Sequence, residues 1–218
     1  MPAAPGLVIF DCDGVLVDSE AIANREFCAM LNRVGVAITL AETVDLLVGL
    51  SMPACIRLIE KRFRVTLPAT FVADLEARTF AAFDAGLAAF PGVAETLDRL
   101  APPFCVASSG EPAKIRFSLG RTGLLPRFDG RLFSAAEVAH GKPAPDLFLL
   151  AAATLGVAPR DCLVIEDSRP GVAAGVAAGM TVFGFTAGGH VPPGALVAAG
   201  AALEFAHMAD LIALIDGP

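Results

Sequence analysis

Apolar residues along the chain fall into two patterns, short continuous runs and longer segments in which they recur every three or four positions. Continuous runs of this kind are typical of strands that are buried on both faces of a sheet. We predict strands at LVIFD (7–11), FCVASS (104–109), RLFS (131–134), CLVIED (162–167) and MTVFGF (180–185), with a weaker one near Leu203.

Segments with helical periodicity occupy the intervals between these strands. We predict helices over 20–34, 41–47, 52–63, 69–87, 93–100, 112–121, 145–155, 170–178 and 208–215. From residue 90 onward, helices and strands alternate, which is typical of a doubly wound parallel sheet with helices on both faces. The pattern therefore predicts an α/β fold with a Rossmann-like core.

The segment 18–89 contains no convincing strand, and we predict that it is a helical cap subdomain inserted into a core formed by 1–17 and 90–218. Asp18 lies where the chain leaves the core, so we assign it to the hinge. Phenylalanines recur through the later part of the insert, and we expect them to form a small core of their own: Phe63, Phe71, Phe80, Phe83 and Phe90.

Composition limits the classes of partner. The chain has 218 residues, of which 55% are hydrophobic and 18% charged, so a large core can be buried. Its net charge of −7 argues against a nucleic-acid or anionic-membrane partner, which would require a clustered basic face. An anionic substrate remains compatible with this charge if a metal ion and local cations reverse the sign at the site.

The cysteines and the N-terminus favour a cytoplasmic protein. The five cysteines are scattered, odd in number and without zinc-site spacing, which indicates reduced thiols. MPAAPGLVIFD lacks the basic segment of a signal peptide. The stretch 170–203 carries no Asp, Glu, Lys or Arg, but its glycines and prolines interrupt it, so we predict a small-residue helix packed on the sheet and no membrane span.

Polar residues that can carry chemistry stand at the ends of the predicted strands or the starts of helices. In doubly wound folds, ligands bind outside the carboxyl ends of the strands, so these residues are expected to share one edge of the sheet. They are Asp11 and Asp13, Ser108 and Ser109 with Gly110, Lys142 in GKPAPD, and Glu166 with Asp167.

Several carboxylates that converge at one edge repel one another and need a cation. Oxygen ligands without His or Cys suit Mg²⁺. The Ser108 hydroxyl and the Lys142 ammonium can then hold phosphoryl oxygens. A carboxylate neutralised by the metal can attack phosphorus to form an aspartyl-phosphate, and a second carboxylate two residues on can protonate the leaving oxygen and later take a proton from water.

Four segments together resemble the motifs of the haloacid dehalogenase superfamily of phosphohydrolases, namely DCDGVLVDS, VASSG, GKPAPD and VIEDSRPG. The insert resembles the helical cap of the subgroup that holds β-phosphoglucomutase, phosphoglycolate phosphatase and many sugar-phosphate phosphatases. The resemblance implies a nucleophile (Asp11), a general acid/base (Asp13), a Mg²⁺ site (Asp11, the Asp13 carbonyl and Asp167, supported by Glu166) and phosphate-binding residues (Ser108 and Lys142).

Several other residues have expected positions or contacts. Ser109 is a further candidate for binding phosphate or substrate, and Glu20 can reach substrate from the cap, although a solvated helix face is an equal interpretation. Cys12 should point into the core and be inert. We expect His140 in a loop and His190 and His207 at the surface. Lys114 and Arg116 either attract an anion or are ordinary exposed residues of their helix.

Within the family, departures from the motifs favour hydrolysis. Dehalogenases lack an acid at the position of Asp13. In β-phosphoglucomutase a His and an Arg occupy positions that match Ala23 and Met52 here, so a mutase is the alternative rather than the main prediction. VASSGEPAKIRFSLGRTGLL and HGKPAPDLFLLAA most resemble hexose-phosphate and phosphogluconate phosphatases.

An alternative of another class is a non-hydrolytic phospho-acceptor or phosphate-binding domain. The length, the insert and the intact set of motif residues argue against it. The sequence thus predicts a Mg²⁺-dependent phosphatase of a small phosphorylated metabolite, a sugar phosphate or sugar-acid phosphate, whose cap closes over the substrate. We expect a monomer or a weak homo-oligomer.

Overall fold

One sheet of six parallel strands is present in the computed structural model, which describes residues 4–47 and 52–217. Its spatial order is β3-β2-β1-β4-β5-β6, which confirms the predicted doubly wound α/β fold, and the order reverses between the first strand and the fourth. The strands are β1 (Leu7–Phe10), β2 (Phe104–Ser108), β3 (Leu132–Ser134), β4 (Cys162–Glu166), β5 (Thr181–Phe185) and β6 (Leu203–Phe205).

The central strands are apolar throughout because both of their faces are buried. All four residues of β1 are fully buried, and β4 is buried along its whole length. Ile9 pairs with Cys105 of β2 on one side and with Val164 of β4 on the other. This register brings the carboxyl ends of β2, β1 and β4 side by side.

Ten α-helices lie in the described part of the chain. They are α1 (Glu20–Arg33), α2 (Leu40–Leu47), α3 (Met52–Phe63), α4 (Phe71–Gly86), α5 (Val93–Arg99), α6 (Pro112–Arg121), α7 (Asp146–Thr154), α8 (Arg169–Ala177), α9 (Ala195–Ala198) and α10 (Leu211–Asp216). The pattern missed α9, since four residues are too few to display a helical period. The predicted final helix begins later because 208–210 form a 3₁₀ turn.

The chain divides into two compact units, one containing residues up to Asp18 and from Ala88 onward, the other Ser19–Leu87. The second unit consists of α1 to α4. Its core joins Phe27 and Leu31 of α1 to Ile59 of α3 and Phe71 of α4. An ion pair of 2.8 Å between Arg78 Nη2 and Glu26 Oε2 also links α4 to α1.

The expected phenylalanine core is wrong in two of its members. Phe71 and Phe83 are buried, but Phe80 is 38% exposed, although its ring centroid lies 6.4 Å from that of Phe83. Phe90 belongs to the sheet unit, where its ring centroid lies 5.3 Å from that of Phe185. Sequence spacing alone does not show how deeply each ring is buried or which unit it packs in.

The uncharged stretch 170–203 is divided among α8, β5 and α9. In the ranges 4–47 and 52–217, no helix combines the length and the apolar character that crossing a membrane requires. Gly175 explains the small residues of α8, since a Cβ at this position would lie 2.6 Å from Val182 Cγ2 of β5. Close approach of helix to strand, rather than a bilayer, accounts for the Gly/Ala run.

We predict that Gly175→Ala destabilises the protein by about 1–3 kcal/mol, because overpacking against the buried Val182 exceeds the gain in helix propensity. Urea denaturation measures the change. Gly120→Ala in α6 is the matched control, since its Cβ would meet only Leu125, at 4.0 Å. A Gly175→Ala variant at least as stable as Gly120→Ala would contradict this account of the packing.

Candidate active site

Three neighbouring strands bring the predicted site residues to one edge of the sheet. Asp11 directly follows β1, Ser108 is the last residue of β2, and Glu166 is the last residue of β4, with Asp167 after it. Because β1 lies between β2 and β4, these side chains meet at the reversal of strand order. Lys142 reaches the same place from the segment before α7.

Lys142 is the buried cation at this edge. Its side chain is 4% exposed, and its Nζ donates to Asp11 Oδ1 at 2.9 Å, to Glu166 Oε1 at 2.8 Å and to the Ala107 carbonyl at 3.1 Å. An ammonium has three protons, so these contacts use its full donor capacity. Lys142 therefore joins the ends of β1, β2 and β4.

Burial and charge shift both partners of the Lys142–Asp11 pair. Burial is the main cause that raises the pKa of Asp11 to about 8; Lys142 opposes this shift, whereas Glu166 and Asp167 add to it. Burial lowers the pKa of Lys142, but the carboxylates of Asp11 and Glu166 more than offset that effect and raise it. One lysine thus does not fully compensate the three acids, and a bound cation would favour ionised Asp11.

Glu166 is held on both of its carboxylate oxygens. Oε1 accepts from Lys142, and Oε2 accepts from the Ser168 backbone N–H at 2.8 Å and from Ser168 Oγ at 2.9 Å. A Cβ on Gly171, in the first turn of α8, would overlap the Glu166 carboxylate. These contacts suit a supporting role, and direct binding of a metal by Glu166 stays a prediction.

Asp167 completes an all-oxygen cluster. Within the described ranges, ligand atoms of Asp11, Glu166 and Asp167 lie within 4.8 Å of one another, and all three residues are buried. Gly14 has φ +78°, and a Cβ there would overlap the Asp167 carboxylate. Carboxylate oxygens are the ligands that hard divalent cations prefer, so the donor set fits such an ion.

Asp13 pairs with Lys114, for which the sequence left two interpretations open. Lys114 Nζ donates to Asp13 Oδ2 at 2.8 Å, and both side chains are partly buried. Lys114 lies in the first turn of α6, immediately after the loop that follows β2. Because α6 begins at the same edge of the sheet as Asp13, the sequence could have favoured an ion pair between Lys114 and Asp13 over an exposed Lys114.

Ser108 and Ser109 differ in exposure. Ser108 is buried, and its Oγ accepts from the Gly110 N–H at 3.2 Å, whereas Ser109 is exposed. Ser134 of β3 also holds this loop, since its Oγ donates to the Gly110 carbonyl at 2.7 Å, a contact that the sequence did not indicate. Glu20 is the first residue of α1 in the helical unit, and its assignment to substrate stays a prediction.

The expectation that His190 lies at the surface is wrong. Its side chain is 8% exposed, and its Nε2 lies 3.0 Å from Asp167 Oδ2. The return of the loop after β5 to the sheet edge causes this burial, and no sequence motif marked it. His207 is exposed, and His140 is a loop residue 76% exposed, with Nδ1 3.1 Å from Asp146 Oδ2.

Cys12 is buried as expected from its position between the two acids. Burial, reinforced by the charges of Asp13 and Asp11, raises the pKa of its thiol well above the ordinary value. A thiol that stays protonated is a poor nucleophile. All five cysteines lie within the described residues, and none of them forms a disulfide there.

The fold and the site together define an α/β protein with a buried cluster of carboxylate oxygens at the carboxyl ends of adjacent parallel strands. The family model of haloacid dehalogenase-like hydrolases matches residues 5–179. The chain belongs to this family.

Similar proteins agree with this assignment. The chain is 34% identical to 6-phosphogluconate phosphatase of Escherichia coli over 187 residues, 85% of each protein. It resembles a solved haloacid dehalogenase-like protein of unknown function from Agrobacterium tumefaciens, with TM-score 0.90, 34% identity and coverage of 97% of each chain. It also resembles a haloacid dehalogenase family hydrolase from Deinococcus radiodurans with bound phosphate and sodium, with TM-score 0.85, 34% identity and coverage of 98% of this chain and 96% of that one.

We predict that Lys142→Met destabilises the protein by about 3–5 kcal/mol, because it leaves the carboxylates of Asp11 and Glu166 buried without their cation. Urea denaturation of the metal-free protein measures this loss. Lys61→Met on the exposed side of α3 is the control and should change stability by less than about 0.5 kcal/mol. Equal stability of the two variants would contradict the account of Lys142 as the bridge between strands.

Proposed function

We propose that this chain is a cytoplasmic Mg²⁺-dependent phosphatase that hydrolyses a small phosphorylated sugar or sugar acid through an aspartyl-phosphate. The observation that carries the proposal is the contact of Lys142 with Asp11 and Glu166, beside Asp167, at the carboxyl ends of adjacent strands. This arrangement provides a carboxylate, a fixed cation and a cluster of oxygen ligands at one point.

The metal would be held by Asp11, the backbone carbonyl of Asp13 and Asp167, with Glu166 as support. When bound, Mg²⁺ supplies positive charge that offsets the repulsion between the acids and attracts phosphate oxygens. The burial of the three acids and the absence of sulfur and nitrogen from their cluster support this choice among divalent ions.

Asp11 is the proposed nucleophile. Its carboxylate oxygen forms a bond to phosphorus while the bond from phosphorus to the sugar oxygen breaks, and the electron pair leaves with that oxygen. Lys142, 2.9 Å from Asp11 Oδ1, reduces the repulsion between this carboxylate and the incoming phosphate. Ser108, buried at the end of β2, would donate its hydroxyl to a phosphoryl oxygen.

Asp13 is the proposed general acid and base. In its protonated form it gives a proton to the departing sugar oxygen, and as a carboxylate it then removes a proton from the water that attacks the phosphorus of the aspartyl-phosphate, which restores the protonated form. This second attack releases inorganic phosphate and restores Asp11. The ion pair with Lys114 holds the Asp13 carboxylate in one orientation at the sheet edge.

The class of substrate is supported by the similarity to a 6-phosphogluconate phosphatase. We assign the choice among substrates to segment 18–89, in the role of a cap. A screen of phosphorylated metabolites, including 6-phosphogluconate and hexose phosphates, tests the class. Assays of glucose 1-phosphate with and without its bisphosphate separate phosphate release from isomerisation, and isomerisation without release would favour the mutase.

We predict that Asp11→Asn lowers kcat by more than about 10⁴-fold, since the amide cannot form the phosphoryl intermediate. Phosphate release is measured with Mg²⁺ and after treatment with EDTA, which should also remove the activity of the unmodified enzyme. Asp129→Asn, at an exposed position, is the control and should retain activity. Hydrolysis by Asp11→Asn at a rate near normal would exclude the covalent route.

We predict that Asp13→Ala slows hydrolysis most for substrates whose leaving group needs to be protonated. A sugar phosphate should lose about 10²–10⁴-fold in kcat/KM, which reports the first step, whereas p-nitrophenyl phosphate, with its good leaving group, should lose much less. The comparison uses both substrates with the same preparation. An equal loss for the two would show that Asp13 does not act as the acid in the first step.

A further inference from the structure

His190 contacts the candidate metal site from outside the sequence motifs. It lies in the loop after β5, and its Nε2 is 3.0 Å from Asp167 Oδ2. The carboxylate oxygen is an acceptor, so Nε2 must carry the proton in this contact. Both side chains are nearly buried, 8% exposed for His190 and 6% for Asp167. The geometry is that of an imidazole donating to a shielded carboxylate.

Gly188 provides the space for this imidazole. A Cβ at Gly188 would lie 2.7 Å from His190 Nδ1 and 3.1 Å from His190 Cε1. The φ angle of Gly188 lies outside the left-handed region, unlike that of Gly189 (φ +66°), so space rather than backbone conformation requires the missing side chain. The loop is therefore shaped to hold the His190 ring against Asp167.

The backbone at Gly14 also confines Asp167. A Cβ on Gly14 would overlap Asp167 Oδ2, the same oxygen that faces His190. The carboxylate plane is thus limited by the peptide at Gly14 and by the imidazole of His190. Removal of the imidazole would allow the carboxylate to rotate away from the acidic cluster.

His190 contacts a candidate metal ligand, Asp167, but is not one of the clustered ligands itself. The ligand atoms that lie within 4.8 Å of one another belong to Asp11, Glu166 and Asp167, and the cluster found in the described residues does not include His190. Carboxylates that bind metals commonly accept a hydrogen bond from such an outer partner, and loss of the partner weakens metal binding about 10–100-fold.

We propose that His190 is a positioning residue that orients the Asp167 carboxylate and thereby sets the affinity of the site for its divalent cation. This inference rests on the proposed metal site. It adds a residue beyond the four motifs, with Gly188 as the space that this residue requires.

Binding of Mn²⁺ to the metal-free protein tests the role directly. The chain has no Trp or Tyr, so we would measure free Mn²⁺ by electron paramagnetic resonance instead of intrinsic fluorescence. His190→Ala should raise the dissociation constant about 10–100-fold. His190→Gln, whose amide can donate to Asp167, should restore most of the affinity, a rescue that a merely space-filling role would not require.

Two further variants make the test specific. His140→Ala removes a His–Asp pair of similar length, 3.1 Å, at an exposed position, and should leave Mn²⁺ binding unchanged. Gly188→Ala keeps the imidazole but crowds it, so it should also weaken binding. This variant decides the matter if His190→Ala does not fold, as judged by circular dichroism.

Each other result overturns the proposal. Unchanged or tighter Mn²⁺ binding by folded His190→Ala, a His190→Gln variant as weak as His190→Ala, or unchanged binding by Gly188→Ala when His190→Ala is unfolded would exclude the positioning role. Failure of the unmodified protein to bind Mn²⁺ would instead contradict the proposed metal site itself, and with it the role of His190.

Discussion

A single buried ammonium holds the candidate site together. Lys142 donates to the carboxylate of Asp11, which follows β1, to the carboxylate of Glu166, which ends β4, and to the backbone carbonyl of Ala107 in β2. Without a cation, acids at this edge would repel one another in a medium of low polarity, where charge interactions are strong. Lys142 provides part of the compensation, but burial, with the nearby charges of Glu166 and Asp167, still raises the pKa of Asp11 to about 8. The excess of buried acids over buried cations is the physical reason to expect a divalent ion at this edge of the sheet.

The backbone around the acids leaves room for several buried carboxylates at one edge of the sheet. Gly14 and Gly171 leave the space that the carboxylates of Asp167 and Glu166 occupy, and Gly188 leaves the space for the imidazole beside Asp167. A side chain at any of the three would displace a polar group from its partner. The glycines of the loops therefore make the polar contacts of the site possible, because small residues leave room for several charged groups to be buried together.

The sequence predicted the parallel sheet and the chemistry at its edge for a physical reason. Strands buried on both faces must be apolar along their length, so acids that directly follow such runs mark the carboxyl ends of the strands. The ion pair of Lys114 with Asp13 and the contact of His190 with Asp167 were missed, since they depend on the rotation of a helix and the path of a loop. For the same reason Phe90, adjacent to the insert in sequence, packs on Phe185 of the sheet unit.

A crystal structure of the protein with Mg²⁺ and beryllium fluoride, which mimics a phosphoryl group on a carboxylate, tests most directly whether Asp11 is the nucleophile beside a metal. We predict beryllium bonded to a carboxylate oxygen of Asp11, with Lys142 still in contact with Asp11 and Glu166, and Mg²⁺ bound by Asp11 and Asp167. Beryllium fluoride bonded to another side chain, or Mg²⁺ bound away from Asp11 and Asp167, would contradict this prediction.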